Sequence, residues 1–199
     1  MDPRKSFFDD AASGWDVLLA RDMRADKLRD VVDRFAIREG DAILDVGTGT
    51  GVLLPFLGKA VGPTGTLVAI DFSFKMLRTA ASHAFDILPA FLNAGVGAIP
   101  FKANSFDRVT CFSAFPHFPD KVKALDEMVR VLKTNGALFI AHLHSIEEIA
   151  ELHRGVGGSV RGDRLPDREA MARLMSEAGL TGVEIENEPG KFLALGRKG

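Results

Sequence analysis

Residues 42–51 read Ala42-Ile43-Leu44-Asp45-Val46-Gly47-Thr48-Gly49-Thr50-Gly51, and this stretch decides the fold. Its first five residues are apolar except for Asp45, the pattern of a strand buried on both faces. The alternating glycines that follow make a turn with bare backbone N–H groups. Val52 to Ala60 is then helical in pattern, with Pro55 in the first turn, where a missing N–H is harmless. Strand, glycine turn and helix in succession aim backbone donors and the positive helix end at a ligand. Which ligand that is must come from the residues around the turn.

Working outward, Thr66 to Ile70 is a second apolar strand ended by Asp71, and Ser73 to Ala84 carries Met76, Leu77, Ala80 and Ala81 on one helical face. Leu88 to Leu92, Asp107 to Phe112 and Ala137 to Leu143 read as further strands, with an apolar-faced helix over Val122 to Leu132 before the last. This alternation predicts an α/β fold, a mostly parallel sheet covered by helices. Ser145-Ile146-Glu147-Glu148 has capping-box spacing and predicts a helix ending near Gly155, Gly157 and Gly158. Asp167 caps a helix through Ala178, closed by Gly179, and Val183 to Glu186 and Phe192 to Gly196 make an antiparallel hairpin around Pro189-Gly190. Upstream, Phe7, Phe8, Ala11, Ala12, Trp15, Leu18 and Leu19, then Leu28, Val31, Val32 and Phe35, predict two amphipathic helices, a cap over residues 1–38. The stretch from Arg154 to Pro166 lacks periodicity and is expected as a lid loop, with Arg154, Arg161 and Arg164 available to clamp an anion.

Composition narrows the function. At 199 residues the chain makes one domain, residues 1–199, and its 46% hydrophobic and 26% charged content is that of a folded protein. A net charge of -2 with acids and bases interspersed argues against nucleic acid as a partner. Apolar runs such as Ala137 to Ala141 fall well short of the roughly 18 residues that read as membrane-spanning. Cys111 is the only cysteine, and no apolar stretch follows Met1-Asp2-Pro3-Arg4-Lys5. A cytoplasmic protein, monomer or homodimer, is the expectation.

Asp45 discriminates among ligands. A carboxylate at the strand tip repels a pyrophosphate and attracts an ammonium group, so a cationic amino-acid moiety fits there. Val52 occupies the position where the dinucleotide fingerprint requires glycine or alanine. Gly58-Lys59-Ala60 lies too late for a phosphate-binding loop and lacks its hydroxyl. Asp71, about 20 residues past the glycine turn, can accept both hydroxyls of a ribose.

The segments ILDVGTGTG (43–51), LVAIDFSFKML (67–77), IPFKANSFDRV (99–109) and RVLKTNGALFIA (130–141) resemble the class I S-adenosylmethionine-dependent methyltransferases. The likeness is strongest to the branch with small-molecule and quinone-biosynthesis enzymes. It implies a Rossmann-like, doubly wound seven-stranded sheet, order 3-2-1-4-5-7-6 with strand 7 antiparallel, S-adenosylmethionine as cofactor and a small-molecule methyl acceptor. By the same resemblance Asp45 and the Gly47, Thr48, Gly49, Gly51 loop hold the methionine portion, Asp71 the ribose, Phe72 and Met76 the adenine, and Ser113 and Ala114 line the methyl end. The family's usual acid for the adenine amino group is replaced by Gly95, leaving the Val96 N–H and Asn93 as a stand-in. A second departure, Asn135 for a glycine, is mild because asparagine tolerates a left-handed turn.

In-line methyl transfer needs alignment above all, and a base only where the acceptor is protonated. His117, in the segment after the fourth strand, is the candidate base, because histidine's ordinary titration range suits an alcohol, phenol or thiol. A plain helix-approach residue bonded to a carbonyl is the alternative. His142 and His144, two apart on the fifth strand and so on one face, with His153 on the next helix, are expected to converge on a substrate pocket. Trp15, of the N-terminal helices folded over the cofactor edge with Phe7 and Phe8, and Arg154 of the lid loop are also assigned to it. No accompanying carboxylate or cysteine has ligand spacing, so no metal is assigned. Two other functions stay open: a non-catalytic S-adenosylmethionine-binding module, to which Gly95 leans, and a nicotinamide-dependent reductase, against which Asp45 and Val52 stand.

Overall fold

The structure, a computed structural model, describes residues 3–15, 24–156 and 158–199. Strands β1 (Ala42–Val46), β2 (Thr66–Asp71), β3 (Ala90–Asn93), β4 (Phe106–Phe112), β5 (Leu132–His142), β6 (Leu180–Glu188) and β7 (Lys191–Lys198) form one sheet in the order β3-β2-β1-β4-β5-β7-β6. Strand β7 is antiparallel to both neighbours, and the other pairings are parallel. The order implied by the resemblance and the hairpin read from the sequence are both present. The chain's direction across the sheet reverses between β1 and β4, and at such a switch point the carboxyl ends of the strands open a crevice.

Helices α1 (Pro3–Ala11), α2 (Ala25–Asp33), α3 (Leu54–Val61), α4 (Phe74–Ala81), α5 (Lys121–Val131), α6 (Ile146–Val156) and α7 (Arg168–Glu177) surround the sheet. The strand period of two sorts the core into layers. Leu44, Val109, Leu138 and Ile140 face Leu125, Met128, Met171 and Met175. Ile43, Ala69, Phe139 and Ala141 face Val32, Phe35, Leu54 and Leu57. With both faces covered, each buried Leu, Ile or Phe contributes about 1.5–3 kcal/mol, so the central strands read as continuous apolar runs.

Side chains cap four helix starts, two of them, Ser145 and Asp167, as the sequence marks. Ser73 Oγ accepts from Met76 N, Asp120 Oδ1 from Lys123 N and Asp167 Oδ1 from Ala170 N. The capping box is reciprocal: Ser145 N donates to Glu148 Oε2 at 2.7 Å and Glu148 N to Ser145 Oγ at 3.3 Å. Asn135 adopts φ 62°, next to an irregularity where β5 joins β4.

Three expectations change. The first helix stops at Ala11, where Gly14 N donates back to Ala11 O, and Leu18 and Leu19 lie outside the described residues. Strand β5 stops at His142, so His144 does not project from a strand beside it. The Arg154 to Pro166 segment starts inside α6, continues as a 3-10 turn (Gly158–Val160) and buries Val160, Asp163 and Leu165. Packing of these residues against the rest of the chain left no periodic signal to read.

Candidate active site

A cleft opens over the carboxyl ends of β1, β2 and β4, where an open parallel sheet receives its ligands. Its floor is main chain. Gly47 and Thr48 N–H both donate to Ile70 O, at 2.9 and 3.1 Å, tying the glycine turn to the tip of β2. Gly47 has φ 71°, and a Cβ there would stand 2.5 Å from Ala114 Cβ, a separation no side chain tolerates, so only glycine lets the two strand tips meet. Ser113, at the tip of β4, sits at φ 54°, a costly conformation for a non-glycine residue of the kind that gathers at functional sites.

Two buried carboxylates mark one end. Asp45, 3% exposed, accepts from Thr110 Oγ1 at 2.7 Å, and burial raises its carboxyl above the usual range. Asp71 accepts from Gly49 N at 2.9 Å and Ser73 N at 2.8 Å. Burial pushes it up to about 6 against the pull of those two bonds. Gly95 and Val96 reach the cleft from the loop after β3. That loop is held from below by α5: Glu127 Oε2 accepts from Ile99 N, while Arg130 donates to Ile99 O and Phe101 O.

The other end is roofed by α1. Phe8 meets Phe72, Trp15 and His117 edge-on, with centroids 5.9, 5.6 and 5.0 Å away, and Phe8, Ala12, Met76 and Val160 form a small apolar cluster. His117 ends the 3-10 turn Phe115–His117 after β4. Its Nδ1 donates to Asp163 Oδ2 at 2.8 Å, and Arg4 of α1 donates to the same carboxylate, Nη2 to Oδ1 at 2.5 Å. Burial would raise the Asp163 carboxyl, but the His117 hydrogen bond and Arg4 outweigh it and hold it down at about 2. His153 Nδ1 donates to the Asp163 carbonyl at 2.7 Å.

Of the residues expected at the site, Asp45, Gly47, Thr48, Gly49, Asp71, Phe72, Met76, Gly95, Val96, Ser113, Ala114, Trp15 and His117 all line this cleft. Gly51 does not; it lets the turn pack against Leu54 and Ala80. Asn93 is no stand-in for the missing acid, because its amide donates to Asp71 O at 2.8 Å and it does not line the cleft. His142 is buried beside Phe192, and burial pushes it down to about 3. His144 faces an outer groove with Glu148 and Glu151, and Arg154, in the last turn of α6, is exposed and pairs with Glu151. The substrate wall expected of His142, His144 and Arg154 is therefore not formed. No group of three or more His, Cys, Asp or Glu side chains among the described residues is arranged to hold a metal ion. Sequence reasoning missed Asp163, Arg4 and Phe118, whereas Phe8 follows from the expectation that the N-terminal helix folds over the cofactor edge. The only available signal for Asp163 was that it is the single acid in an arginine-bearing segment.

A family model described as a methyltransferase domain matches residues 44–140. The ubiquinone/menaquinone biosynthesis C-methyltransferase of Enterobacter sp. (strain 638) is 30% identical over 195 residues, covering 85% of this chain and 78% of that one. Its counterpart in Hahella chejuensis is 28% identical, covering 94% and 87%. The fold matches the crystal structure of a SAM-dependent methyltransferase from Aquifex aeolicus at a TM-score of 0.69 and 22% identity, over 95% of this chain and 97% of that one. The chain belongs to the class I S-adenosylmethionine-dependent methyltransferases, in their quinone-biosynthesis-like branch, and S-adenosylmethionine is its cofactor.

The cleft fits that cofactor. Two buried carboxylates at neighbouring strand tips call for a cation and for hydroxyl donors, which an amino-acid ammonium and a ribose supply. Among the described residues Thr48 Oγ1 and Thr50 Oγ1, both on the cleft wall, are buried without a well-formed hydrogen bond, Thr48 lying against the Asp45 carboxyl. Buried polar atoms seldom stay unsatisfied, so their place beside Asp45 suits the polar end of the same molecule.

Proposed function

We propose that this methyltransferase acts on a small, largely apolar acceptor bearing an ionisable X–H group, with His117 as the base. The observation that carries the reading is the composition of the roof: an aromatic wall of Phe8, Trp15, Phe112 and Phe118 around a single imidazole whose Nδ1 is already engaged. Asp45 would take the ammonium of the donor, Asp71 the ribose hydroxyls, Phe72 and Met76 the adenine faces, and Val96 N–H an adenine nitrogen. Bound there, S-adenosylmethionine supplies an electrophilic methyl group on a positively charged sulfur. Ser113 and Ala114 border the space between donor and acceptor, and the apolar roof excludes water, so that orientation supplies most of the rate, on the order of 7–11 kcal/mol. His117 receives the acceptor's proton on Nε2, which its bond to Asp163 leaves free.

An acceptor of this kind agrees with relatives named for C-methylation in quinone biosynthesis. No described helix is long and apolar enough to cross a membrane; a cytoplasmic monomer or homodimer is part of the same proposal. A screen of phenols, quinols, thiols and amines, monitored by S-adenosylhomocysteine release, tests the reading. Turnover confined to permanently charged or large polymeric acceptors would overturn it. Tight cofactor binding without turnover on any acceptor would favour a binding module.

A further inference from the structure

We propose that Asp163 is a positioning residue for methyl transfer, fixing His117 in the tautomer with its proton on Nδ1, and that Arg4 makes this orientation conditional on the docking of α1 over the cleft. The inference rests on His117 acting as the base.

Asp163 is 3% exposed, yet it carries contacts from three separate parts of the chain. Its Oδ1 accepts from Arg4 Nη2 and, at 3.1 Å, from Arg4 Nε, while its Oδ2 accepts from His117 Nδ1 at 2.8 Å. A guanidinium fork of this kind fixes the plane of a carboxylate, and one oxygen is thereby directed at the imidazole. A carboxylate only accepts, so the hydrogen shared with Asp163 is on Nδ1, and Nε2 is the nitrogen that carries the lone pair when the ring is neutral. The ring is also blocked from turning, with Phe8 on it at 5.0 Å and His153 at 4.8 Å. His153 is held in turn by the Asp163 carbonyl.

The proton balance then closes. The acceptor gives its proton to Nε2 and its electron pair to the donor methyl carbon, and the carbon–sulfur pair stays on sulfur. His117 becomes an imidazolium beside an anionic carboxylate, and returns the proton to water after product leaves. A buried carboxylate next to the forming cation is worth more than an exposed one. Arg4 lies on α1, the helix that also brings Phe8 to the roof. An undocked α1 therefore leaves Asp163 without its fork and His117 without the edge-on Phe8 ring, which ties proton transfer to the state in which water is excluded.

Nitrogen-15 spectra of the imidazoles in the wild-type protein, with S-adenosylhomocysteine bound, should assign His117 as the Nδ1–H form. A His117 carrying its proton on Nε2 overturns the proposal without any variant. Asp163→Asn should lower kcat by about 10²-fold or more, leave the S-adenosylhomocysteine dissociation constant within about twofold, and move the His117 resonances toward the other tautomer. A kcat within twofold of wild type overturns it. Should Asp163→Asn fail to fold, Arg4→Met against Arg4→Lys decides: a fall of about tenfold in kcat for the first, largely rescued by the second, supports the fork, and equal, undiminished kcat in both overturns its role. His117→Ala separates the two readings. Full turnover in that variant sinks the base assignment and this role with it, whereas an inactive His117→Ala beside a fully active Asp163→Asn sinks the positioning role alone.

Discussion

The two ends of the cleft are built in opposite ways. The donor end is local: Asp45, the glycine turn and Asp71 lie within one strand-turn-helix-strand passage, joined by backbone hydrogen bonds such as Gly49 N to Asp71. The acceptor end is assembled from afar, with Arg4 meeting Asp163 across 159 positions and His117 meeting it across 46. At the donor end two carboxylates are buried with no basic side chain paired to them among the described residues, and burial raises both. At the acceptor end one anion is buried and paired, and is held down. The contrast teaches that the first region is suited to receive a cationic ligand, while the second has satisfied its own charge and is suited to move a proton.

The largest test of this contrast is His117→Ala. It should cut kcat by about 10²- to 10⁴-fold, the range of a lost general base, with the cofactor dissociation constant unchanged by titration calorimetry. Asp45→Ala should do the reverse, weakening cofactor binding by about 2–3 kcal/mol, roughly 30- to 150-fold, as expected for a lost charge-assisted hydrogen bond. Its thermal midpoint without ligand should stay near wild type, because removing a desolvated charge offsets the lost contact with Thr110. If both variants changed kcat and affinity in equal measure, the division into two ends would fail.

Gly95→Asp sharpens the comparison from the donor side. Nothing lies within 4 Å of a Cβ added at Gly95, so the family's missing acid can be restored without a clash. One added hydrogen bond to the adenine amino group should tighten binding by about 0.5–1.5 kcal/mol, up to roughly tenfold, with kcat unmoved. A weakened or unchanged affinity would mean that adenine does not lie against Gly95 and Val96.

The remaining test is of pH dependence without ligand. Asp71 is raised in the folded chain to about 6 from 3.8, so its ionisation costs stability: the penalty is absent well below pH 4 and complete above about 6. The unfolding free energy of wild type minus that of Asp71→Asn should therefore fall as pH rises from 4 to 6 and then level off. His142, kept neutral by burial and pushed down to about 3, loses stability in the opposite sense as pH falls from 6.5, but it is common to both proteins and cancels. A flat difference would show Asp71 to be solvated.

The same division explains what the sequence discloses. The succession of strands and helices, the closing hairpin and the caps at Ser145 and Asp167 are legible because periodicity and turn chemistry act over a few residues, whereas the strand order and the cleft positions of Phe72 and Met76 come from the family resemblance. Asp163 is legible in neither way: an isolated acid in an aperiodic segment looks like a solvated loop residue until the fold brings Arg4 and His117 to it. The misplacement of His142, His144 and Arg154 has the same origin. Spacing of two implies a shared face only while a strand lasts, and β5 ends at His142; Arg154 follows the helical period of α6, which turns it to solvent.

Where Gly47 touches Ala114, the cleft floor is a single layer of main chain. Peptide units there leave little for substitution to reshape without driving two strands apart. New acceptors can be accommodated only from above, through α1 and the residues that follow α6, so divergence in this lineage should collect in the roof while the floor stays as it is.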